Sequence, residues 1–387
     1  MPVAGLPLAY LDYNATAPVR PEAAAAVAAA MAEPGNASSV HAAGRRARGR
    51  LEAARRELAE RLGVRPDGVI FTSGGTEANH LALLGQGGPY LVSAVEHPSV
   101  LDAVPDAPRI PVDGDGRLDL GALADLLDRH RPRVVSVMLA NNETGVVQPV
   151  AEAATLAHDR GALLHCDAVQ GLAKLPFTLD GLGGADLLTV SAHKLGGPQG
   201  VGALIVREGV EMAPVQRGGG QELRRRAGTE NLPGIAGFAA ALDVATDWER
   251  VRGLRDRLEA GVRELCPDAI VVGDRVARLP NTSCVLTPGL PAETQLMALD
   301  LAGVAVSSGA ACSSGKVGPS HVLAAIGFAP DLARCAIRVS LGWGTGEAEV
   351  GRILDAWSSL VRRARAAQPA GSTAFASGRS TSPCRTR

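Results

Sequence analysis

Between residues 69 and 206 the sequence alternates short apolar runs with amphipathic segments, and this alternation constrains the fold more than any other feature. The apolar runs have the length of strands, and turn residues separate them from segments with helical periodicity. The predicted strands cover 69–72, 90–95, 133–140, 162–166, 185–190 and 201–206, and the predicted helices cover about 76–85, 119–130 and 149–160. This order predicts an α/β protein with a mostly parallel sheet that helices cover on both faces.

The most unusual strand end carries the sequence Ser191-Ala-His-Lys194, followed by a glycine-rich turn. Ligands of open α/β sheets bind at such strand ends. An ammonium there loses hydration, which lowers the lysine pKa toward the neutral amine that an imine-forming lysine requires. An isolated motif of this kind is more often a surface lysine after a strand, so the interpretation depends on the other strand ends.

Four other strand ends offer complementary groups. The turn before Thr76 opens a helix whose free N–H groups and dipole favour an anion. His97 could stack on a planar ligand or move a proton, and Asn142 offers an amide donor. Asp167 ends a very apolar strand and therefore needs a cation or a protonated ring nitrogen. Each group alone has an ordinary explanation, but together they form the set that pyridoxal 5'-phosphate (PLP) requires.

Composition narrows the class of protein. The chain has 387 residues, 46% of them hydrophobic, which allows a large core and two or three domains. The 39 basic and 40 acidic residues nearly cancel, so no overall field favours direct binding of nucleic acid or an anionic membrane. No apolar run approaches the roughly 20 residues that span a bilayer, and no secretory signal pattern occurs at the N-terminus. We therefore expect a cytoplasmic protein without membrane contact.

The six cysteines lie far apart and show no metal-ligand spacing. We therefore expect no disulfide framework and assign no metal site from this pattern. Cys166, Cys284 and Cys335 fall in apolar runs, which predicts small buried hydrophobic side chains. Cys312 differs, because the surrounding residues 306–316 are rich in Gly and Ser. That composition predicts an accessible loop on which a thiolate could act.

Seven motifs occur in order along nearly the whole chain: Asp12-Tyr-Asn-Ala-Thr-Ala-Pro, Ser73-Gly-Gly-Thr-Glu, Glu96-His97, Asn141-Asn-Glu-x-Gly, Asp167-x-x-Gln170, Ser191-Ala-His-Lys194 and Arg226-x-Gly-Thr-x-Asn231. This series resembles the cysteine desulfurases of the NifS/IscS type, which are fold-type I PLP enzymes of the class V aminotransferase group. The resemblance covers roughly residues 8–360 and implies a homodimer.

The resemblance also implies roles for individual residues. Lys194 would carry PLP, Asp167 would pair with the pyridine nitrogen, and Gln170 would reach the ring hydroxyl. His97 would stack on the ring and act in catalysis. The implied phosphate contacts are Gly75, Thr76, Ser191 and His193, with Thr229 reaching across from the second subunit. The implied substrate contacts are Asn14, Asn142 and Arg338, of which Arg338 would grip the substrate carboxylate.

The stretch Ser307-Ser-Gly-Ala-Ala-Cys-Ser-Ser314, followed by Pro319-Ser-His-Val-Leu323, resembles the catalytic loop of group I desulfurases. The resemblance implies that Cys312 takes sulfur from L-cysteine as a persulfide, leaving L-alanine, and passes it to an acceptor or scaffold protein. Through that persulfide Cys312 could also ligate a cluster iron. The destination of the sulfur stays open among iron–sulfur clusters, tRNA, a cofactor and DNA.

Two alternative functions remain besides a cysteine desulfurase. A related class V enzyme, such as a selenocysteine lyase or an aminotransferase, would not need Cys312. A PLP-binding scaffold without turnover is disfavoured, because every chemical position is filled.

The predicted division of the chain follows its composition and periodicity. We expect a large PLP-binding domain over 12–250 and a smaller α+β domain from 1–11 and 251–365, which carries the cysteine loop 306–318. The tail 366–387 is rich in Ser, Thr, Gly and Arg without periodicity, which predicts disorder.

Overall fold

The computed structural model describes residues 8–309 and 320–366. Its strands are β1 (Ala9–Tyr10), β2 (Val69–Thr72), β3 (Tyr90–Ser93), β4 (Arg109–Ile110), β5 (Val134–Ser136), β6 (Leu163–Asp167), β7 (Leu187–Ser191), β8 (Gly202–Val206), β9 (Ile270–Val271), β10 (Thr282–Leu286), β11 (Val304–Ala305), β12 (Ser307–Ser308) and β13 (Ala336–Ser340). Its helices are α1 (Pro21–Met31), α2 (Ala42–Leu62), α3 (Gly75–Leu84), α4 (Pro98–Leu101), α5 (Leu120–His130), α6 (Val150–His158), α7 (Leu232–Leu242), α8 (Trp248–Leu265), α9 (Ala292–Leu301), α10 (His321–Ile326), α11 (Pro330–Ala333) and α12 (Glu347–Ala366).

A seven-stranded sheet in the order β2-β8-β7-β6-β5-β3-β4 forms the centre of the molecule. Strands β3 to β7 pair in parallel, whereas β8 runs antiparallel to both of its neighbours, β2 and β7. The predicted mostly parallel α/β sheet is thus confirmed. Because β6 and β7 are parallel neighbours, Asp167 and Ser191 emerge from the same edge of the sheet.

The apolar runs fold as central strands because helices cover both faces of the sheet. Every residue of β7 and β8 is buried. Helix α2 packs its face of Leu51, Ala54 and Leu58 into the same core and leaves its arginines largely on the outside. It ends at Gly63, whose φ of +69° gives the left-handed conformation that commonly closes a helix.

A second sheet, in the order β12-β13-β10-β9, is antiparallel and packs with α8, α9 and α12 around a separate core. Trp357 of α12 is buried there and donates its Nε1–H to Gln295 Oε1 at 3.0 Å. The boundaries of the two predicted domains stay a prediction.

An N-terminal segment, residues 11–17, connects the two sheets. Tyr13 N donates to the carbonyl oxygen of Ser340 on β13, at 3.1 Å. Ala17 N donates to the carbonyl oxygen of His193, which follows β7, at 2.8 Å. This connecting segment therefore brings Asn14 to the place where the strand ends of the central sheet meet the small sheet.

Candidate active site

Lys194 lies at the end of a 3₁₀ turn, Ala192–Lys194, directly after β7. Its Nζ donates to the carbonyl oxygens of Asn14 and Ala15 at 2.7 and 2.8 Å. The connecting segment thus holds the amine at the edge of the sheet, as the strand-end position predicted. Lys194 lines a cavity of about 330 Å³.

The cavity brings together the predicted residues Asn14, Gly75, Thr76, His97, Asn142, Asp167, Gln170, Ser191, His193, Lys194 and Arg338. They come from five strand ends of the central sheet, from the middle of β13 and from the connecting segment. The roles implied for them stay predictions, but their convergence is a property of the fold.

Asp167 is 6% exposed, and its carboxylate accepts two hydrogen bonds. Val169 N donates to Oδ1 at 3.0 Å, and Asn79 Nδ2 donates to Oδ2 at 2.8 Å. Both of these donors are neutral. A buried carboxylate with only neutral donors gains from a cationic partner, and a protonated ring nitrogen would supply one.

A hydrogen-bond network connects His97 to Asp167. Asn79 Nδ2 donates both to the carboxylate and to Ser99 Oγ, at 2.8 Å in each case. Ser99 contacts His97 Nδ1 twice, through its hydroxyl at 2.8 Å and through its backbone N–H at 3.1 Å. Because that N–H donates to Nδ1, the proton of the neutral ring resides on Nε2.

Burial favours this neutral form of His97. Desolvation is the main cause that lowers its pKa, and the charge of Lys194 adds to it, while Asp167 acts in the opposite direction. A neutral, oriented imidazole suits stacking on a flat ring better than an imidazolium would.

The start of α3 and the end of β7 form the end of the cavity where phosphate is predicted to bind, which we call the phosphate end. A side chain at Gly75 would lie 2.9 Å from Val169 Cγ2, so only glycine leaves this surface open. Ser191 Oγ is buried and has no hydrogen-bond partner among the described residues. Burial, and then Lys194, lower the pKa of His193 to about 4, so its ring is neutral at physiological pH.

Arg338 of β13 is 1% exposed and lies on the opposite side of the cavity. Its Nη2 donates to Asp12 Oδ1 at 2.7 Å and its Nη1 to the Asn142 carbonyl oxygen at 3.2 Å. A further donor, Nε, has no partner within the described part of the chain. A buried guanidinium with an unused N–H is able to take up a further anionic oxygen.

Of the remaining predicted residues, one is not described by the structure and one lies outside the cavity. Cys312 lies outside the described residues. Thr229 does not line the cavity. It follows Arg226, whose guanidinium forms two hydrogen bonds with Glu77 on α3, at 2.6 and 3.2 Å. The loop 226–231 therefore lies beside the phosphate end of the cavity but does not enter it.

The turn that precedes this loop, residues 222–224, has an uncommon backbone conformation. Glu222, Leu223 and Arg224 have φ angles of 45°, 56° and 66°, which residues other than glycine rarely adopt. The buried Glu222 carboxylate accepts from both Nη atoms of Arg55, at 2.8 and 3.0 Å, and from Phe71 N at 2.9 Å. These contacts hold the left-handed turn 222–224 in place.

Three residues of the site were not among the predicted ones. Asn79 and Ser99 line the cavity, and Lys174 lies behind Gln170. Asn79 could have been found, because it stands one helical turn after Thr76 on the face that looks toward the strand ends. No comparable signal marks Ser99, whose contact with Asn79 joins residues 20 apart. Lys174 follows Gln170 by four residues, but its contact with Asn14 spans 160 residues.

The groups in the cavity fit PLP. Asp167 offers a carboxylate to a protonated ring nitrogen, and the glycine-lined start of α3 with the unpartnered Ser191 hydroxyl offers an anion site. Lys194 supplies the amine. A mostly parallel sheet with this set at its strand ends defines a PLP-dependent enzyme of fold type I.

Comparison with known proteins agrees with this class. The model of the family "Aminotransferase class-V" matches residues 9–353. A cysteine desulfurase of Cereibacter sphaeroides is 47% identical over 381 residues, which cover 94% of this chain and 98% of that protein. An IscS-like cysteine desulfurase of Mycobacterium tuberculosis is 40% identical over 385 residues, covering 93% and 98%.

A solved NifS-like protein from Rickettsia africae superimposes with a TM-score of 0.85 at 33% identity, covering 92% of this chain and 99% of that one. The chain belongs to the class V aminotransferase family, and the resemblance and fold class that its motifs predicted are confirmed.

Two features are absent from the described residues. None of the helices there is long and apolar enough to cross a membrane. No group of three or more His, Cys, Asp or Glu side chains within 8–309 and 320–366 is arranged to hold a metal ion.

Proposed function

We propose that this chain is a PLP-dependent cysteine desulfurase, which converts L-cysteine to L-alanine and keeps the sulfane sulfur on Cys312. The observation that carries the proposal is the convergence of Lys194, Asp167 and Arg338 in one cavity. The names of relatives that share 40–47% of their residues with this chain support the same activity.

PLP, when bound, supplies an electron sink for the carbon framework of the substrate. The protein contributes binding, orientation and proton transfer. The unpartnered Nε–H of Arg338 is available to the substrate carboxylate, and the amides of Asn14 and Asn142 border the same space. With PLP bound, the Lys194 amine at the end of β7 would be placed to move a proton at the substrate carbon.

In the sulfur transfer itself, the Cys312 thiolate attacks the substrate sulfur. A sulfur–sulfur bond forms as the substrate carbon–sulfur bond breaks, and the carbon keeps the electron pair and later receives a proton. One cysteine and one thiol thus give one alanine and one persulfide, so no external oxidant or reductant is needed.

The contacts of described residues on both sides of the segment 310–319 support Cys312 as the sulfur acceptor. Ser307 Oγ donates to Asp12 Oδ2 at 2.8 Å, and Asp12 is the partner of Arg338. Ser320 Oγ donates to Glu143 Oε2 at 2.5 Å, next to Asn142. Burial raises the pKa of Glu143 to about 7 despite the bond from Ser320. Both contacts thus lie next to residues that line the cavity, Arg338 and Asn142.

A product assay tests the proposal. Purified enzyme loaded with PLP is mixed with L-cysteine, and alanine, persulfide and keto acid are quantified. A desulfurase releases alanine and forms persulfide in equal amounts during the first turnover. Release of a keto acid would instead identify an aminotransferase, and turnover of selenocysteine but not cysteine would identify a lyase.

We further propose that the protein works as a cytoplasmic homodimer and passes the sulfur to an acceptor or scaffold protein. Thr229 supports the dimer, because it lies beside the phosphate end of the cavity of its own chain without lining it. A loop in that position can complete the equivalent site of a second copy.

Mixing two inactive variants should restore activity if Thr229 acts across the dimer. Lys194→Ala removes the amine, and Thr229→Asp places a negative charge at the phosphate site. A mixed dimer then contains one site with both native residues and one site with both defects. Random exchange should recover about a quarter of wild-type activity, measured as alanine release after mixing.

Thr229→Ser is the matched control, because it keeps the hydroxyl and should remain active alone. No recovery in dimers shown to be mixed by mass spectrometry, or a fully active monomer in sedimentation, would refute the contribution of Thr229 from a second subunit.

A further inference from the structure

Lys174 is a buried lysine next to the site, with 4% exposure, and the proposed chemistry does not use it. It follows Gln170 by one turn and does not line the cavity. The preceding residue, Ala173, has a φ of +63°, a left-handed conformation that alanine adopts only at a cost. The local backbone is therefore strained at the point from which the amine is directed into the interior.

The partners of Lys174 are neutral. Its Nζ donates to Gln170 Oε1 at 2.8 Å and to Asn14 Oδ1 at 3.3 Å, and the described residues supply no carboxylate in ion-pair contact with it. Two acceptors match the two N–H donors of an uncharged amine, whereas an ammonium would have one left over. Burial, with Lys194 and Arg338 nearby, also lowers the pKa of Lys174 well below its ordinary value.

The contact with Gln170 decides how that amide is oriented. An amide side chain can turn over and exchange its oxygen with its nitrogen, and only the hydrogen-bond network selects one orientation. Lys174 is a donor, so it requires Oε1 on its side. The opposite group, Nε2, then points to the Asn14 carbonyl oxygen at 3.0 Å and borders the cavity.

We propose that Lys174 is a positioning residue, which acts through Gln170 by keeping the amide N–H directed into the cofactor cavity. The inference rests on the proposed PLP site, where the Gln170 N–H would meet the ring hydroxyl oxygen. Without Lys174 only the Asn14 carbonyl oxygen still selects this orientation, and an amide that turns over presents its oxygen to the ring oxygen, which replaces an attraction with a repulsion.

The test uses the visible absorption band of the enzyme loaded with PLP, followed against pH. An N–H donor on the ring oxygen disperses its negative charge and so weakens its hold on the proton of the Lys194 linkage. Losing the donor should therefore raise the midpoint of the titration. We expect Lys174→Met to raise it by about 0.5 pH unit or more, while Lys174→Gln, which keeps an N–H donor, should shift it less.

A double-mutant cycle separates action through Gln170 from a direct effect of Lys174. Gln170→Leu alone should raise the midpoint, and adding Lys174→Met to it should cause no further shift. An unchanged midpoint in Lys174→Met, or additive shifts in the double variant, would overturn the inference. If Lys174→Met does not fold, the same cycle with Lys174→Ala, which also removes the donor, decides it. Absence of any visible band in the wild type would instead disprove the proposed PLP site.

Discussion

Replacing Lys194 with alanine should remove the yellow colour of the loaded enzyme and lower alanine release from L-cysteine by at least ~10³-fold. The amine is the group at the end of β7 that can hold the cofactor covalently and then move a proton at the substrate carbon. Reduction of the wild type with borohydride should fix the cofactor to one peptide, the one that contains Lys194. Visible absorbance and peptide mapping measure both outcomes.

Lys174→Met is the matched control for this experiment, because it removes a buried amine from the same site but leaves the attachment point intact. That variant should stay yellow. Recovery of the reduced cofactor on the Lys174 or Lys316 peptide would show that the wrong lysine has been assigned.

Replacing Cys312 with serine should lower alanine release on the order of 10³-fold, because a hydroxyl is a far weaker nucleophile toward sulfur than a thiolate. Cofactor absorbance should be unchanged, since Cys312 is assigned only the attack on sulfur. Incubation of the wild type with L-cysteine, alkylation and peptide mapping should find the persulfide on the Cys312 peptide. Undiminished alanine release in Cys312→Ser would favour the lyase alternative.

The four described cysteines serve as internal controls, since all of them are buried as free thiols. Burial raises the pKa of Cys284 to about 12 and, together with Asp268, that of Cys266 to about 11. It also raises the pKa of Cys166 well above the usual value and that of Cys335 above it. Few thiolates form there at neutral pH, so a persulfide found mainly on Cys335, or on Cys384 in the tail, would contradict the assignment.

Periodicity and strand ends predicted much of this fold. The strands 69–72 and 201–206 were located almost to the residue, because strands buried on both faces are continuous apolar runs between turn residues. Their direction was not predictable, since an apolar run looks the same whether its neighbours are parallel or antiparallel. Two-residue strands such as β4 carry no periodic signal at all.

The residues of the candidate site also include some that the sequence predicted and some that it could not predict. Groups that end a strand, such as Asp167, were predictable because a polar residue after an apolar run is conspicuous. The role of Asn14 as a hydrogen-bond partner of several site residues was not predictable. Its side chain and carbonyl oxygen bind Lys174, Gln170, Lys194 and Thr282, which are between 156 and 268 residues away. Only the folded connecting segment brings them together.

The left-handed turn 222–224 has a consequence for association. Its conformation is fixed inside one chain by Glu222 with Arg55 and Phe71, so the loop that follows begins from a rigid base. A loop that is ordered before two chains meet loses little conformational entropy when they do. Loosening the turn, for instance with Arg55→Met, should weaken association of the proposed dimer at unchanged contact area. The backbone strain at three residues would then act as preorganisation for that dimer.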